Sequence, residues 1–391
     1  MNIILADYNR NNLLPFTFMR PVAAIRCGIL TIAEKWEKLS ENSCSFLTEN
    51  YLSAKFPLKK AADNLVVNGA VLINEKLYSE IMTLENGQVM VKGDMVIAIR
   101  TSSADISDFS KIDYDESIET DLEIDVLSYP WDIFRLNEKA VSDDFVLITK
   151  GRKSAAVDAD TTLINPSQIF IEESAKVQCA VINASAGPVY IGAHAEIMEG
   201  SLIRGPFALC EHATLKMGAK IYGATTIGPH CKIGGEVSNS VVFGFSNKAH
   251  DGFLGNSVVA EWCNLGADTN NSNLKNNYGI VKCYNYEKKD YISTGLQFCG
   301  LMMADHSKAA INTMFNTGTV VGVAANVFGG GFPPKYIPSF AWGGFGDEQF
   351  QLDKAVELAR EVYKRRNLDF DKTEEAILNH VNGLELILPS E

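Results

Sequence analysis

The chain has 391 residues, a formal net charge of −13 and an apolar fraction of 46 %. At roughly 100–200 residues per domain, that length predicts two or three domains with sizeable cores. The acidic balance argues against nucleic acid or an anionic membrane as main partner, and leaves room for a local basic pocket. Asp7 interrupts the first apolar run and no stretch approaches a membrane span, so the expected location is cytoplasmic. The cysteines at 27, 44, 179, 210, 231, 263, 283 and 299 form no C-x-x-C pair, the pattern of small reduced thiols among apolar neighbours.

Residues 1–150 read as a mixed α/β domain. Asn2–Ala6 is a short apolar strand, and Val22, Ile25, Ile29, Ile32 and Trp36 then fall at helical spacing. Leu65–Val67 and Val71–Ile73 are strand-like around an Asn68-Gly69 turn, and Met90–Ile99 is a further β-rich run. The acidic stretch Ser102–Glu123 is expected to be a solvated, irregular excursion.

Residues 151–346 carry the strongest signal. Ile191, Ile197, Ile203, Leu209, Leu215, Ile221, Ile227 and Ile233 recur every six residues. That period suits neither a helix nor an ordinary strand, and matches a β-solenoid of short strands with one inward side chain each. Three hexads close a triangular coil, so His194, His212 and His230, eighteen apart, should stack on one corner. The solenoid is expected to begin near Val157, with Ile171 and Val177 already six apart. The register loosens over Glu236–Tyr291, and Cys299, Asp305, Ile311, Thr317 and Val323 restore a six-residue step. Gly329–Gly346 is read as an extended strap over the open end, which would otherwise invite strand pairing. Residues 347–391 should form two amphipathic helices, over Gln349–Arg366 and Lys372–Val381.

A solenoid is a scaffold, so chemistry is sought where it is irregular. The segment Ser246–Asn256 contains His250, a residue type able to act as a neutral base near pH 7. The asparagine-rich stretch after it, with Asn264 and Asn273, offers donors to a developing oxyanion.

These residues resemble the acetyltransferase half of the bifunctional N-acetylglucosamine-1-phosphate uridylyltransferase / glucosamine-1-phosphate acetyltransferase family. Its motifs are S-K-x-x-H-x-x-Y-x-G-D and N-I-G-A-G-T-x-x-x-N-Y. Ser246, His250, Gly255, Asn264, Gly266, Ala267, Thr269 and Asn273 match them as they stand. The resemblance implies a left-handed parallel β-helix of hexapeptide repeats, a homotrimer, and acyl transfer from acetyl-CoA or another acyl-CoA. It makes His250 the general base, lets Asn273 polarise the thioester, and places Ser246, Lys248 and Asn264 toward the substrate. The tyrosines become Phe253 and Leu274, the second glycine becomes Asp268, and the phosphate-gripping lysine falls at Ser238. Losing such a charge-assisted bond, about 1.5–3 kcal/mol, leaves the acceptor sugar open. A thin solenoid has little concavity, so a neighbouring subunit is expected to complete the cleft around His250.

The N-terminal domain resembles a diverged sugar-1-phosphate nucleotidyltransferase, whose opening motif is L-A-A-G-x-G-T-R-x-x-P. Here the chain runs Ile4-Leu5-Ala6-Asp7-Tyr8-Asn9-Arg10 and on to Leu14-Pro15 and Arg20-Pro21, without the phosphate-cradling glycines. The metal-binding aspartate of the family is replaced by Ala70, and alanine cannot hold Mg²⁺. The asparagine ligand corresponds to Asn137, and Asp7 and Asp132 are alternative carboxylates. Arg10, Arg20 and Arg26 are the candidates for a sugar phosphate or nucleotide sugar.

Two other readings stay open. One is a non-catalytic sugar-nucleotide-binding or regulatory protein. The other is a zinc enzyme like the trimeric solenoid carbonic anhydrases, drawing on His194, His212 and His230, although no H-x4-H pair is present.

Overall fold

Strand β1 (Asn2–Ala6) is buried from Ile3 to Ala6 and runs parallel to β2 (Ser45–Leu47) and β3 (Asn64–Asn68). The computed structural model describes residues 1–103, 106–344 and 348–385, and separates them into two units. The first comprises residues 1–13, 17–25 and 30–129; the second comprises 14–16, 26–29 and 130 onward. Among the described residues no helix is long and apolar enough to cross a membrane.

In the first unit β3 pairs antiparallel with β5 (Met95–Thr101), β5 with β4 (Gln88–Lys92), and β4 runs parallel to β6 (Glu116–Glu119). The expected helix from Val22 is shorter, because α1 spans Ile32–Ser40 and only Val22–Ala24 makes a single tight turn before it. The cause is local. Thr31 and Glu34 form a reciprocal capping box that starts the helix at Ile32. A second helix, α2, spans Glu75–Ile81.

Asn68-Gly69 is not the turn of a hairpin. The Gly69 amide donates to the Ala6 carbonyl at 2.8 Å, and a Cβ there would lie 2.7 Å from that oxygen. Glycine thus serves a close approach, and Val71 bridges Val126 instead. The hairpin lies inside Met90–Ile99, where β4 and β5 turn at Gly93 with φ +57°. The acidic excursion is only partly solvated. It contributes β6, and Ile106, Phe109 and Ile112 are buried with Ile4, Val66, Val89 and Ile99. Ala104 and Asp105 lie outside the described residues.

The second unit begins with α3 (Asp132–Arg135) and α4 (Asn137–Thr149) and continues as a β-solenoid. Among the described residues its three walls are sheets of six, nine and ten strands, here faces A, B and C in chain order. The eighteen-residue return is explicit in the register. Ile203 pairs with Ile221 on face A, Leu209 pairs with Ile191 and Ile227 on face B, and Leu215 with Ile197 and Ile233 on face C. All eight are buried.

The later coils correct the expected phase. Ile311 is 69 % exposed, and the inward residues are Met303, Ala309, Phe315, Val321 and Val327, again six apart. The period is retained while the phase is displaced, because small and polar residues weaken the apolar signal there. The expected strap is partly solenoid. Tyr336–Ile337 extends face B and Ala341–Trp342 extends face C, where Glu348–Gln349 pairs antiparallel and covers the edge. Gly346 lies outside the described residues. Helices α5 (Leu352–Lys364) and α6 (Lys372–Glu385) follow.

His194, His212 and His230 occupy equivalent corners at φ +57°, +56° and +58°. Their ring centroids stack at 4.7 and 4.8 Å, and Phe245 and Trp262 continue the column. Burial, then the neighbouring His212, lowers the His230 pKa, against a raising effect of Glu211 and alongside a further lowering by Arg366. A histidine depressed on folding favours the neutral form, so its stabilisation is present above the unfolded value of about 6.5 and lost as pH falls below it. The melting temperature should therefore fall on acidification from pH 7.5 to 5.5. His230→Phe, which continues the column in the manner of Phe245, should flatten that dependence without lowering stability at pH 8. An unchanged slope in thermal melts would contradict this assignment.

Candidate active site

On face C, strand Asn247–Lys248 lies in register between Lys232–Ile233 and Asn264–Leu265. Strand alternation sends Ile233, Lys248 and Leu265 toward the interior and Lys232, Asn247 and Asn264 outward, with Lys308 continuing the outward row beside Asn264. The last turn of α5 flanks this row. Tyr363 stacks on Trp262 with ring centroids 3.8 Å apart and meets Phe370 edge-on at 5.1 Å, which fixes the helix against the corner column.

Between row and helix lies a cleft of about 700 Å³. Among the described residues its lining carries Lys232, Lys308, Arg365, Arg366 and His250, the amides of Asn247 and Asn264, and no carboxylate. Val362, Arg365 and Arg366, at the end of α5 and just beyond it, line the cleft together with the row. Two of these cations are held below the usual lysine range, chiefly by burial. Burial, then Arg366, lowers the Lys232 pKa, and burial brings Lys308 down to about 8. The Lys308 ammonium donates to the carbonyls of Trp262 and His306 at 2.8 and 2.6 Å, and Arg366 donates to Asn247 Oδ1 at 3.2 Å. Such a concentration of positive charge in a chain of net charge −13 is suited to a polyanionic ligand.

The expected acyl-transfer residues are only partly gathered here. His250 is exposed at the rim, where face C turns toward face A, and Asn264 lies on the floor. Ser246 is a turn residue, its hydroxyl donating to the Ala260 carbonyl at 2.7 Å and accepting from the Cys263 amide at 2.8 Å. Lys248 points inward and is 2 % exposed. Asn273 does not line the cleft, and its amide donates to Asn256 at 2.9 Å. Lys232, Lys308, Arg365 and Arg366 were absent from the expected set. Their sequence signal was the outward hexad positions before Ile233 and Ala309, and a basic pair at the end of a helix.

In the first unit Arg10 is committed to a network. It bonds Asp7 at 3.0 Å, Tyr51 at 2.8 Å and the carbonyls of Arg20 and Thr17. Asp7 also accepts from Thr48 at 2.5 Å and from the Val22 amide at 2.7 Å. Arg20 is buried, and Arg26, in the second unit, donates to the Ile29 carbonyl. Asn137 is fully buried in the second unit. Its oxygen accepts from Gly28 N and Thr226 Oγ1 and its nitrogen donates to the Ala224 carbonyl, so both oxygen lone pairs serve packing. Ala70 is buried, and Asp132 pairs with Arg135 at 2.8 Å. These residues do not fit a Mg²⁺ site, and among the described residues no group of three acidic, histidine or cysteine side chains is placed to hold a metal ion. His194, His212 and His230 lie in near-parallel planes, so their nitrogen lone pairs do not converge on one point as zinc would need.

Residues 2–153 match the family model described as sugar nucleotidyl transferase. Over 194 residues the chain is 25 % identical to the bifunctional protein GlmU of Cyanothece sp. (strain PCC 7425), covering 44 % of this chain and 42 % of that one. The GlmU of Synechococcus elongatus (strain PCC 7942) is 23 % identical over 234 residues, covering 54 % and 47 %. An uncharacterized acetyltransferase, YaiX of Escherichia coli O6:K15:H31, is 29 % identical over 143 residues, covering 36 % and 61 %. The matched stretch thus spans less than half the length of these GlmU relatives. The crystal structure of the polySia specific acetyltransferase NeuO aligns with TM-score 0.25 at 10 % identity, over 52 % of this chain and 94 % of that one. Residues 2–153 are thus similar to sugar nucleotidyl transferases, and the chain is similar to GlmU proteins over less than half of their length.

Proposed function

We propose that this chain is a transferase that moves an acyl group from an acyl-CoA to the amine of an amino sugar bearing a phosphate or a nucleotide. The observation that carries this reading is the cationic cleft with His250 at its rim. Coenzyme A brings several phosphate charges, which Arg365, Arg366 and Lys232 would neutralise. The amine nitrogen attacks the thioester carbonyl, His250 takes the proton that the amine gives up, and the C–S bond breaks to release the thiolate. Asn247 and Asn264 offer amide donors within the same cleft for the developing oxyanion. The likeness to GlmU proteins and to an acetyltransferase supports the acyl-transfer class.

His250→Ala should slow acetylation of an amino-sugar phosphate by a factor of about 10²–10⁴, the usual worth of a general base. Its melting temperature should stay near that of the parent chain, since the side chain is exposed. Arg365→Ala with Arg366→Ala should raise KM for acetyl-CoA while sparing kcat. Steady-state kinetics showing an undiminished rate in His250→Ala would remove the residue from the chemistry. We also read the assembly as a homotrimer. A monomer in sedimentation velocity would contradict that point.

For the N-terminal unit we infer binding of a sugar phosphate or nucleotide sugar without Mg²⁺-dependent transfer. The family match supports the ligand class, while buried Ala70 and the occupied Asp7 carboxylate argue against a working metal site. Incubation with UTP or dTTP, a sugar 1-phosphate and Mg²⁺ should yield no nucleotide sugar above background. Robust product formation would show that another carboxylate carries the ion.

A further inference from the structure

Face C stacks Val177, Ile197, Leu215 and Ile233 along its inward row, and the next residue in register is Lys248. An ammonium group inside an apolar column is costly unless its protons are bonded. Lys248 meets that need at the corner, donating to the carbonyl of Gly234 at 3.1 Å and to that of His250 at 2.9 Å. The backbone leaves room for it. Gly235, at φ +72°, would place a Cβ 2.9 Å from the ammonium nitrogen and 2.8 Å from the Gly252 carbonyl. Gly252, at φ +118°, completes the turn after His250. An isoleucine fills the same inward position one coil earlier, so filling the column does not by itself explain the amine.

We propose that Lys248 is a positioning residue for His250: its buried ammonium grips the His250 carbonyl and fixes the corner from which the imidazole reaches the cleft. The proposal rests on the reading of His250 as the base. Burial lowers the Lys248 pKa to about 8, against the raising effect of Asp251 and Asp268, the carboxylates beside it. The grip should therefore weaken as pH rises through that value.

The test uses the full chain with histidines labelled at Cε1, the His250 resonance being assigned from its loss in His250→Ala. In the parent chain that resonance should show a second inflection near pH 8, separate from imidazole titration. Lys248→Met, an unbranched apolar replacement suited to the column, should abolish the inflection and speed amide exchange at 249–252 while unfolding stays cooperative. With acetyl-CoA and glucosamine 1-phosphate as probes, kcat should fall on the order of 10-fold to 100-fold with KM unchanged, the signature of a misplaced group. Lys248→Arg, which restores a donor, should recover part of the loss. A folded Lys248→Met with parental His250 resonance and exchange overturns the proposal. Should that variant fail to fold, a folded Lys248→Leu, apolar like the inward residues before it, with parental His250 resonance and exchange overturns it equally. If the parent chain transfers no acetyl group, the base reading of His250 fails, while resonance and exchange still decide whether Lys248 holds the corner.

Discussion

One inward side chain per short strand, repeated every six residues, is the constraint from which the second unit follows. A coil of eighteen residues encloses so narrow a core that Ile191, Ile197 and Ile203 each meet only their equivalents above and below and the two facing walls. Nothing large can be accommodated inside, so irregularity is pushed to corners and outer faces. Two inward positions show the limit. Lys248 carries its charge out to a corner. Asn271 is buried and uses its amide to satisfy the amide and carbonyl of Gly255, while Asn270 accepts from the Phe253 amide. Side-chain amides thus replace the backbone ladder there, and face A ends at Phe253–Gly255 while Asn270–Asn271 pairs with Met314–Phe315 instead.

Corners set the second layer of organisation. Non-glycine residues at positive φ cost about 1–2 kcal/mol each relative to the right-handed region. His194, His212, His230, Phe245, Trp262 and His306 all adopt it, between +53° and +63°. Coil stacking brings His194 to Trp262 face to face at 4.3–4.8 Å between centroids, and that packing offsets part of the strain. The same column receives Tyr363 from α5. The helix so anchored places Val362, Arg365 and Arg366 beside the outward row, where they line the cleft.

What was legible in the sequence follows from this physics. The hexad run from Ile191 to Ile233 and the histidine column are direct prints of the coil geometry, and both were readable from spacing alone. The phase past Cys299 was not, because Ala309 sits in the inward row and Ile311 outside it, an inversion no hydropathy pattern reports. The start of α1 was misplaced because apolar spacing through Val22–Ile29 outweighed the Thr31–Glu34 box. His250 and Asn264 were singled out from motif residues, and both line one cleft. Arg365 and Arg366 were missed, since a basic pair at a helix end resembles a solvated face until the helix is docked. Arg10 and Asn137 were plausible ligand contacts by type. Their hydrogen bonds in the fold serve the local packing of their own units.

On the function proposed above, face C and α5 form a cleft for a polyanion with His250 at its rim. A crystal structure of the full chain grown with coenzyme A tests it most directly. Coenzyme A should lie in this cleft, its phosphates within hydrogen-bond distance of Lys232, Arg365 or Arg366 and its thiol directed to His250. Coenzyme A ordered elsewhere on the molecule, with the cleft holding solvent alone, would contradict it.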